Sequence, residues 1–583
     1  MGAKTYYIGL GITYHDPALA IVDEHGVPLF AEASERYLQS KRAINGEPDI
    51  LSRLPKLIRE FCPDAGRFVI ASSWSKSRPW YERIASALGF LGVRGLNRHG
   101  LKRLRSPLDT RQIHHMMACN RLAIARGGLN LVRLLGESYS HCQVEFCDFD
   151  HHDNHAALAC YASPFEEASC AVVDSYGETG SMGFFQFHDG KLERVHTSRG
   201  LGSLGLYYMY ITALCGFDWM QGEEWKVMGL APYGQLDPEV DALLKQTLIV
   251  RGLNLEHPRG QLFPALEALA KKRRIKSNPT ESAANLAFTG QAHFAHIMTE
   301  LLANFHAAYP SHNLALAGGC ALNSSCNGQI AQKTNFRNVY VPPAPADDGT
   351  ALGAAWLAVA RERPWLARPK PPLSAYLGSV ISEEAVARLA RFSPCLHPRH
   401  LPDSICEETA RLLANGKLVA WVQGRAEFGP RALGNRSILA DPRDSGMKAK
   451  INERVKFREE YRPFAPSILH EFGPAYFEDY RETPYMEQAL RFRPEVMAQV
   501  PAVVHVDGTG RLQTVKSDWN PQFYRLLSAF HQLTGIPLLL NTSFNVMGKP
   551  MVHSLEDAVA VFMTSGLDRL VIGDWLFAKP EVP

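Results

Sequence analysis

The sequence predicts an α/β protein of two unlike parts, a larger one built from two copies of a strand-rich unit and a smaller one with its own sheet. Three observations carry this expectation. One order of strand, polar loop, strand, tight turn and strand occurs twice, a proline cluster interrupts the chain at Pro369 to Pro372, and helix and strand periods resume beyond it. At 583 residues, 46% of them hydrophobic, the chain is about four times the usual domain unit and predicts two to four well-buried cores. Lys+Arg 62 against Asp+Glu 59 leaves +3, and 21% charged residues indicates neither a polyelectrolyte nor a disordered chain.

The first copy runs through Tyr6 to Ile12, Ala18 to Val22, a turn at Glu24-His25-Gly26, and Val27 to Ala31, as three hairpin-linked strands. The second runs through Ala171 to Val173, Gly183 to Phe187, a turn at Asp189-Gly190, and Leu192 to His196. Gly11 to Gly26 spans 15 residues and Asp174 to Gly190 spans 16, so the two copies keep step. This is the layout of two ribonuclease-H-like halves facing across a cleft, as in the actin-like ATPase superfamily.

Between the copies, Ser52 to Phe61 and Trp80 to Leu91 read as helices. Arg94 to Arg133 then carries nine cations against the single acid Asp109. A helical insertion over about 50–140 is expected. Its charge suits either a solvated basic face or a guide for anionic substrates. Glu281 to Ala308 is helical by period and leads into a strand at Leu314 to Ala317. Arg368-Pro369-Lys370-Pro371-Pro372 is the expected linker, because clustered prolines cannot continue a helix, giving domains of 1–367 and 373–583. Beyond it, a helix at Glu407 to Asn415 and strands at Lys417 to Val422 and Pro537 to Leu540 imply a separate α/β unit.

Met1 to Ile12 lacks the regions of a signal peptide, and no apolar run approaches the roughly 18 residues that span a bilayer. The expectation is a cytoplasmic protein with no membrane partner. Eleven cysteines without a Cys-x-x-Cys pair exclude a disulfide framework and a zinc knuckle.

Several stretches carry candidate chemistry. Gly9-Leu10-Gly11 and His15-Asp16 join the first two strands, where glycines admit a phosphate or acyl group and Asp16 could orient His15 as a general base. A lone turn histidine is more often structural. His151 and His155 lie four apart at the start of an alanine-rich helix, on one face and within reach of one divalent cation. A polar helix start capped by Asp150 is the plainer reading. Asp174 and Asp347 sit where strands end, and two histidines with two acids make a mixed nitrogen and oxygen set. Gly318, Gly319 and Asn323 follow a strand and open a helix, which suits a nucleotide phosphate, although such a Gly-Gly is common. Lys226 fits a phosphate-neutralising lysine or a surface charge. In the second part, Arg425, Arg431, Asn435 and Arg436 are interleaved with glycine and proline, followed by Lys456 and Arg462. Forked guanidiniums in so constrained a stretch suit a multi-phosphate site. Asn541, Ser543 and Asn545 add neutral hydrogen-bonding groups at a strand end.

With these residues in view, the chain resembles the NodU/CmcH family of O-carbamoyltransferases over nearly its whole length. The most specific stretch is Gln423 to Ser437, continued by Ile438 to Arg443 and Arg462 to Ser467. Asn541 to Asn545, Lys226 to Gly234 and Leu316 to Asn323 agree as well. The resemblance implies an actin-like N-terminal domain akin to the tRNA threonylcarbamoyl-transfer proteins and a C-terminal domain akin to threonylcarbamoyl-AMP synthases (YrdC-like). It implies an ATP-dependent enzyme of antibiotic or other natural-product biosynthesis that makes carbamoyl-AMP from carbamoyl phosphate and ATP with Mg²⁺, then carbamoylates a hydroxyl of a small-molecule acceptor. Carried over, His151, His155, Asp174 and Asp347 hold a metal, often iron(II), with Asp348 an adjacent rival to Asp347. His15 serves the acceptor hydroxyl, with Lys226 beside it in the catalytic set. The sequence departs from the family at Glu32 to Tyr37, where a denser acidic run is usual, so acceptor contacts are not carried over.

Two other classes compete. One is an actin-like nucleotide-dependent binding or sensor protein, which would not need the cationic second domain. The other is a tRNA-modifying enzyme, which the near-neutral charge disfavours; no nucleic-acid partner is expected, and a homodimer is compatible with the sequence.

Overall fold

The computed structural model describes residues 4–75, 110–363 and 373–580. The first sheet contains β1 (Lys4–Gly11), β2 (Ala18–Val22), β3 (Pro28–Ala33), β4 (Ala65–Ser72) and β5 (Gln143–Asp148) in the order β3-β2-β1-β4-β5. The second contains β6 (Ala168–Val173), β7 (Met182–His188) and β8 (Lys191–Thr197), then, after a separate hairpin of β9 (Ile249–Arg251) and β10 (Asn254–Glu256), β11 (Asn313–Ala317) and β12 (Asn338–Tyr340). Its order, read from the hairpin end, is β8-β7-β6-β11-β12. Each sheet thus has three antiparallel strands followed by two parallel ones. The expected duplication is present strand for strand. The Asp189-Gly190 turn has φ of 51° and 71°, and positive φ at both central residues matches the twist of a two-residue hairpin.

Two helices, His151–Ala162 and Thr350–Glu362, pack against each other between the sheets. Their approach is too close for side chains at some positions. A Cβ on Gly353 would lie 1.9 Å from the Asn154 carbonyl oxygen, and one on Gly9 would lie 1.8 Å from that of Ala351. Alanines and glycines along Thr350–Ala355 therefore set the spacing, and the N-terminal ends of both helices meet at the same edge of the two sheets.

The insertion is shorter than expected. The helix Leu54–Phe61 leads into β4, which pairs parallel with β1 from Lys4 to Leu10, so these residues complete the first sheet. Added helices Thr110–Arg126 and Leu129–Ser138 fall between β4 and β5. The helix expected at Trp80 to Leu91 and the cations Arg94 to Arg105 lie outside the described residues. Arg121, Arg126 and Arg133 are exposed, and Arg133 pairs with Glu137 at 2.9 Å.

The linker at Arg368 to Pro372 also lies outside the described residues. Leu373, Ala375 and Leu377 are buried in the core between the first two sheets, and Leu377 O accepts a hydrogen bond from Ala31 N at 3.0 Å. The core boundary therefore falls between Gly378 and Val386, later than the proline cluster, because this strap fills space beside β3.

The second part is built on an eight-stranded mixed sheet. It comprises β13 (Arg399–His400), β14 (Val419–Val422), β15 (Arg436–Ala440), β16 (Ala465–Leu469), β19 (Gln513–Val515), β20 (Leu538–Ser543), β21 (Arg569–Ile572) and β22 (Trp575–Ala578), with a separate ribbon of β17 (Ala489–Arg491) and β18 (Thr509–Arg511). The order is β13-β22-β21-β14-β15-β20-β16-β19. Helices Ile405–Ala414 and Pro521–Thr534 pack together over its own hydrophobic core. No helix among the described residues is long and apolar enough to cross a membrane. All eleven cysteines are free, and all but Cys142 and Cys395 are buried.

Candidate active site

At the edge where the helix ends meet, the Asp150 side chain caps the first helix by accepting from His152 N at 3.0 Å. Glu178 accepts from His151 N at 2.7 Å. This fixes the first turn, so His151 and His155 project side by side, both buried. Asp174 follows β6, where Gly319 N donates to its Oδ1 at 3.3 Å. Asp347 opens the tight turn before Thr350–Glu362. One ligating atom from each of these four residues lies within 4.8 Å of every other. His151 Nε2 is 3.3 Å from Asp174 Oδ2 and 3.6 Å from Asp347 Oδ1; His155 Nε2 is 3.5 Å from each of the same two atoms.

Five of the separations among these four atoms are 3.3 to 3.6 Å, the spacing of donors that share an ion at about 2.0–2.2 Å, the usual bond length from a transition metal to nitrogen or carboxylate oxygen. A divalent transition metal fits this donor set. Burial opposes charge here, but hydrogen bonds from the two histidines outweigh it and hold both Asp174 and Asp347 below the usual carboxylate range. Asp348 also lines the cavity next to this group, but it is outside the four-residue cluster. Burial, then the nearby charges of Asp16, Glu35 and Asp347, push it up to about 8, so of the two neighbours Asp347 joins the cluster.

His15 stands beside this group. Its Nδ1 is 2.8 Å from Asp16 Oδ2 and 3.7 Å from Asp347 Oδ2.

A cavity of about 500 Å³ beside this cluster is lined by His15, Asp174 and Asp347 from the first part of the chain and by Arg431, Lys448, Lys456, Arg458, Arg462 and Arg511 from the second. Among the described residues, Glu459 is the acid paired within this group, with Arg462 at 2.7 Å. Burial pulls Arg431 down to about 10. Burial and then the charge of Arg462 pull Arg458 down to about 9. Lys456 and Arg511 are depressed by burial and then by neighbouring cations. Arg458 Nη2, Arg462 Nε, Arg511 Nε and His505 Nε2 are buried without a protein partner. Unneutralised, undersatisfied donors at this density are a site for a polyanion.

Two family models match the chain, Carbamoyltransferase N-terminus over residues 129–356 and Carbamoyltransferase C-terminus over residues 410–579. The chain belongs to the carbamoyltransferase family. Relatives include nodulation protein NolO of Bradyrhizobium diazoefficiens, 38% identical over 74% of this chain and 79% of its own. Another is the 3'-hydroxymethylcephem-O-carbamoyltransferase of Amycolatopsis lactamdurans, 30% identical over 75% of this chain and 82% of its own. Among solved structures, T. kodakarensis HypF aligns over 64% of this chain and 49% of its own, at 11% identity and a TM-score of 0.30, too distant to bear on the site. The protein is thus an enzyme that transfers carbamoyl groups.

Within this carbamoyltransferase the sequence-derived candidates divide. His15, Asp174, Gly319, Asn323, Asp347, Arg431, Lys456, Arg462, Asn541, Ser543 and Asn545 line the cavity, and His151 and His155 complete the cluster behind it. Lys456 Nζ donates to Asn545 Oδ1 at 2.7 Å and also to Ser543 O, so it shapes the strand-end loop while leaving its charge in place. Asn323 caps the helix Ser324–Lys333.

Gly11 and Gly318 do not line the cavity. Gly11 packs on the Asp347–Thr350 turn. Gly318, at φ 89° and with a would-be Cβ 2.3 Å from Val173 O, holds β11 against β6. Lys226 is engaged with Glu223 at 2.5 Å and Glu459 at 3.5 Å, across the domain junction.

Arg425 and Arg436 are corrections to the phosphate expectation. Arg425 donates to Leu29 O at 2.6 Å and Gly378 O at 3.1 Å. Arg436 is wholly buried and donates to the carbonyls of Gln423, Asn435 and Ser379 at 2.8, 2.8 and 3.0 Å. Their guanidiniums are spent on backbone oxygens. Asn435 likewise donates to Arg425 O at 2.7 Å. Glu427 completes this scaffold, accepting from Leu433 N, Asn435 N and Arg436 N at 2.8 to 3.1 Å. His505, in the loop before β18, and Arg511, at the end of β18, were missed by the sequence reading because these residues carry no recognisable spacing.

Proposed function

We propose that the enzyme is an ATP-dependent O-carbamoyltransferase that activates carbamate in its C-terminal, YrdC-like domain and transfers it in its N-terminal, actin-like domain to a hydroxyl of a small natural-product acceptor. The single observation that carries this reading is one cavity lined both by His15, Asp174 and Asp347 beside the histidine–aspartate cluster and by a cation cluster from the second domain. Water cleaves carbamoyl phosphate into carbamate and inorganic phosphate, and a carbamate oxygen attacks the α-phosphorus of ATP, bound with Mg²⁺, expelling pyrophosphate. The acceptor oxygen then attacks the carbamoyl carbon, the bond to AMP breaks, and His15 takes the hydroxyl proton.

Arg431, Arg458, Arg462 and Arg511 would neutralise the phosphates. A divalent ion at His151, His155, Asp174 and Asp347, which we take to be iron(II) as the family resemblance implies, would polarise the carbamoyl carbonyl. Carbamoyl-AMP is labile in water, and passage within one cavity limits its hydrolysis. Incubation with carbamoyl phosphate, ATP, Mg²⁺ and an acceptor alcohol should yield AMP and pyrophosphate. Stoichiometric ADP with a phosphorylated acceptor would overturn the reading in favour of a kinase.

A further inference from the structure

The loop that holds His15 is joined to a second loop in a way the proposed reaction does not by itself require. Asp16 Oδ2 accepts from His15 Nδ1 at 2.8 Å and from Arg42 Nε at 3.2 Å. Asp16 N donates to Arg42 O at 2.7 Å, and Asn45 N donates to Tyr14 O at 2.7 Å. Arg42 also reaches the carbonyls of Trp219 and Met220, each at 3.4 Å. One guanidinium therefore ties three segments around the imidazole.

The backbone is strained where these loops meet. Asp16, Arg42, Ala43 and Asn45 have φ of 54°, 61°, 41° and 59°, in the left-handed region that non-glycine residues rarely occupy. Such strain persists only where surrounding contacts over-determine it, and it concentrates at functional sites. Here Glu35 Oε2 accepts from Arg42 N at 2.8 Å and holds the strained residue in place.

We propose that Arg42, Asp16 and His15 form a positioning triad, in which Arg42 and Asp16 fix the orientation and tautomer of the imidazole that takes the acceptor's proton. With Nδ1–H donated to Asp16, the lone pair of the neutral ring is on Nε2. Asp347 Oδ2, at 3.7 Å from the same Nδ1, is too far to compete for that hydrogen bond. The acceptor proton passes to Nε2 as its oxygen bonds to the carbamoyl carbon and the anhydride bond breaks, its electron pair leaving with AMP. This inference rests on the reading of His15 as the base.

The test supplies chemically made carbamoyl-AMP to the full-length enzyme with two probes, ethanol and hydroxylamine. Ethanol needs proton removal; hydroxylamine attacks as a neutral nucleophile and needs little. Asp16→Asn preserves shape and tolerates the left-handed backbone, but its amide can donate to Nδ1 and so favour the wrong tautomer. It should lower ethyl carbamate formation by about 10²- to 10⁴-fold, with a smaller loss in Arg42→Gln, while both variants keep hydroxyurea formation. Wild-type ethanol transfer in both variants, or equal losses with both probes, would overturn the triad. Undiminished ethanol transfer in His15→Asn would instead show that the base reading itself is wrong.

Discussion

Nε2 of His151 and Nε2 of His155 stand 3.3 Å apart, and both face Asp347 Oδ1 and Asp174 Oδ2. One ring can donate to the other at that distance only in one tautomer, whereas a cation at the centre of the four atoms would satisfy all of them at once, so the donor set suits a metal ion.

Removing one corner should therefore empty the cage. His155→Ala is expected to lose bound transition metal by elemental analysis and to lose carbamoyl transfer, while the helix survives because alanine suits its interior. Full metal content together with full activity in this variant would rule the four-residue site out. Thermal melts separate metal loss from mere destabilisation.

Arg431→Ala should impair activation without weakening the fold. Its guanidinium reaches Leu322 O only at 3.4 Å, has no acidic partner among the described residues, and faces the cavity. Deleting it removes a charge-assisted contact to a phosphate worth about 1.5–3 kcal/mol, or roughly 10- to 150-fold in the activation rate constant. The melting temperature should hold steady, and added carbamoyl-AMP should restore product.

Arg436→Ala, five positions along the chain, should do the reverse. Its removal strands the carbonyls of Gln423, Asn435 and Ser379 in a dry interior, where each unsatisfied group costs about 1–3 kcal/mol. Denaturant titration should register a loss of several kcal/mol. An Arg436→Ala protein as stable as its parent would refute this division of labour.

That contrast marks the limit of what the sequence disclosed. The duplicated sheets were legible because strand period and turn residues are local, and His151 with His155 was legible because a four-residue spacing on a helix is geometry in itself. Arg425, Arg431 and Arg436 look alike in sequence, yet only burial and carbonyl partners distinguish scaffold from site. The extent of the insertion was misjudged because β4, Ala65–Ser72, is recognisable only from its pairing with β1, a contact between residues as far apart in the chain as Leu10 and Ser72. Arg511 on β18 and His505 in the loop before it reach the cavity from a segment that no local pattern ties to it, and Arg42 joins His15 only through the fold.

The last prediction concerns the seam between the domains. The Glu32 carboxylate, only 1% exposed, pairs with Arg53 and lies 3.4 Å from His553 Nε2. It also accepts from Ser379 N at 3.0 Å and from Ser379 Oγ at 3.1 Å, so β3, the start of the helix Leu54–Phe61, the segment after the strap and the C-terminal domain converge on it. Burial alone would raise its pKa, but Arg53 and then His553 and Ser379 outweigh burial and hold it well below the ordinary value of 4.5. A carboxylate with a depressed folded-state pKa binds fewer protons when folded than when unfolded. Its contribution is therefore complete above the unfolded value and is lost as pH falls toward the folded one. Glu32→Gln leaves Arg53 buried without its countercharge and should cost about 3–5 kcal/mol near neutrality. The difference in stability between wild type and variant should stay level from about pH 7 to about pH 5.5 and narrow below about pH 4.5. A gap that stays constant down to about pH 3.5, or that widens, would mean that Glu32 is not ionised in the folded protein and that the seam is held by packing alone.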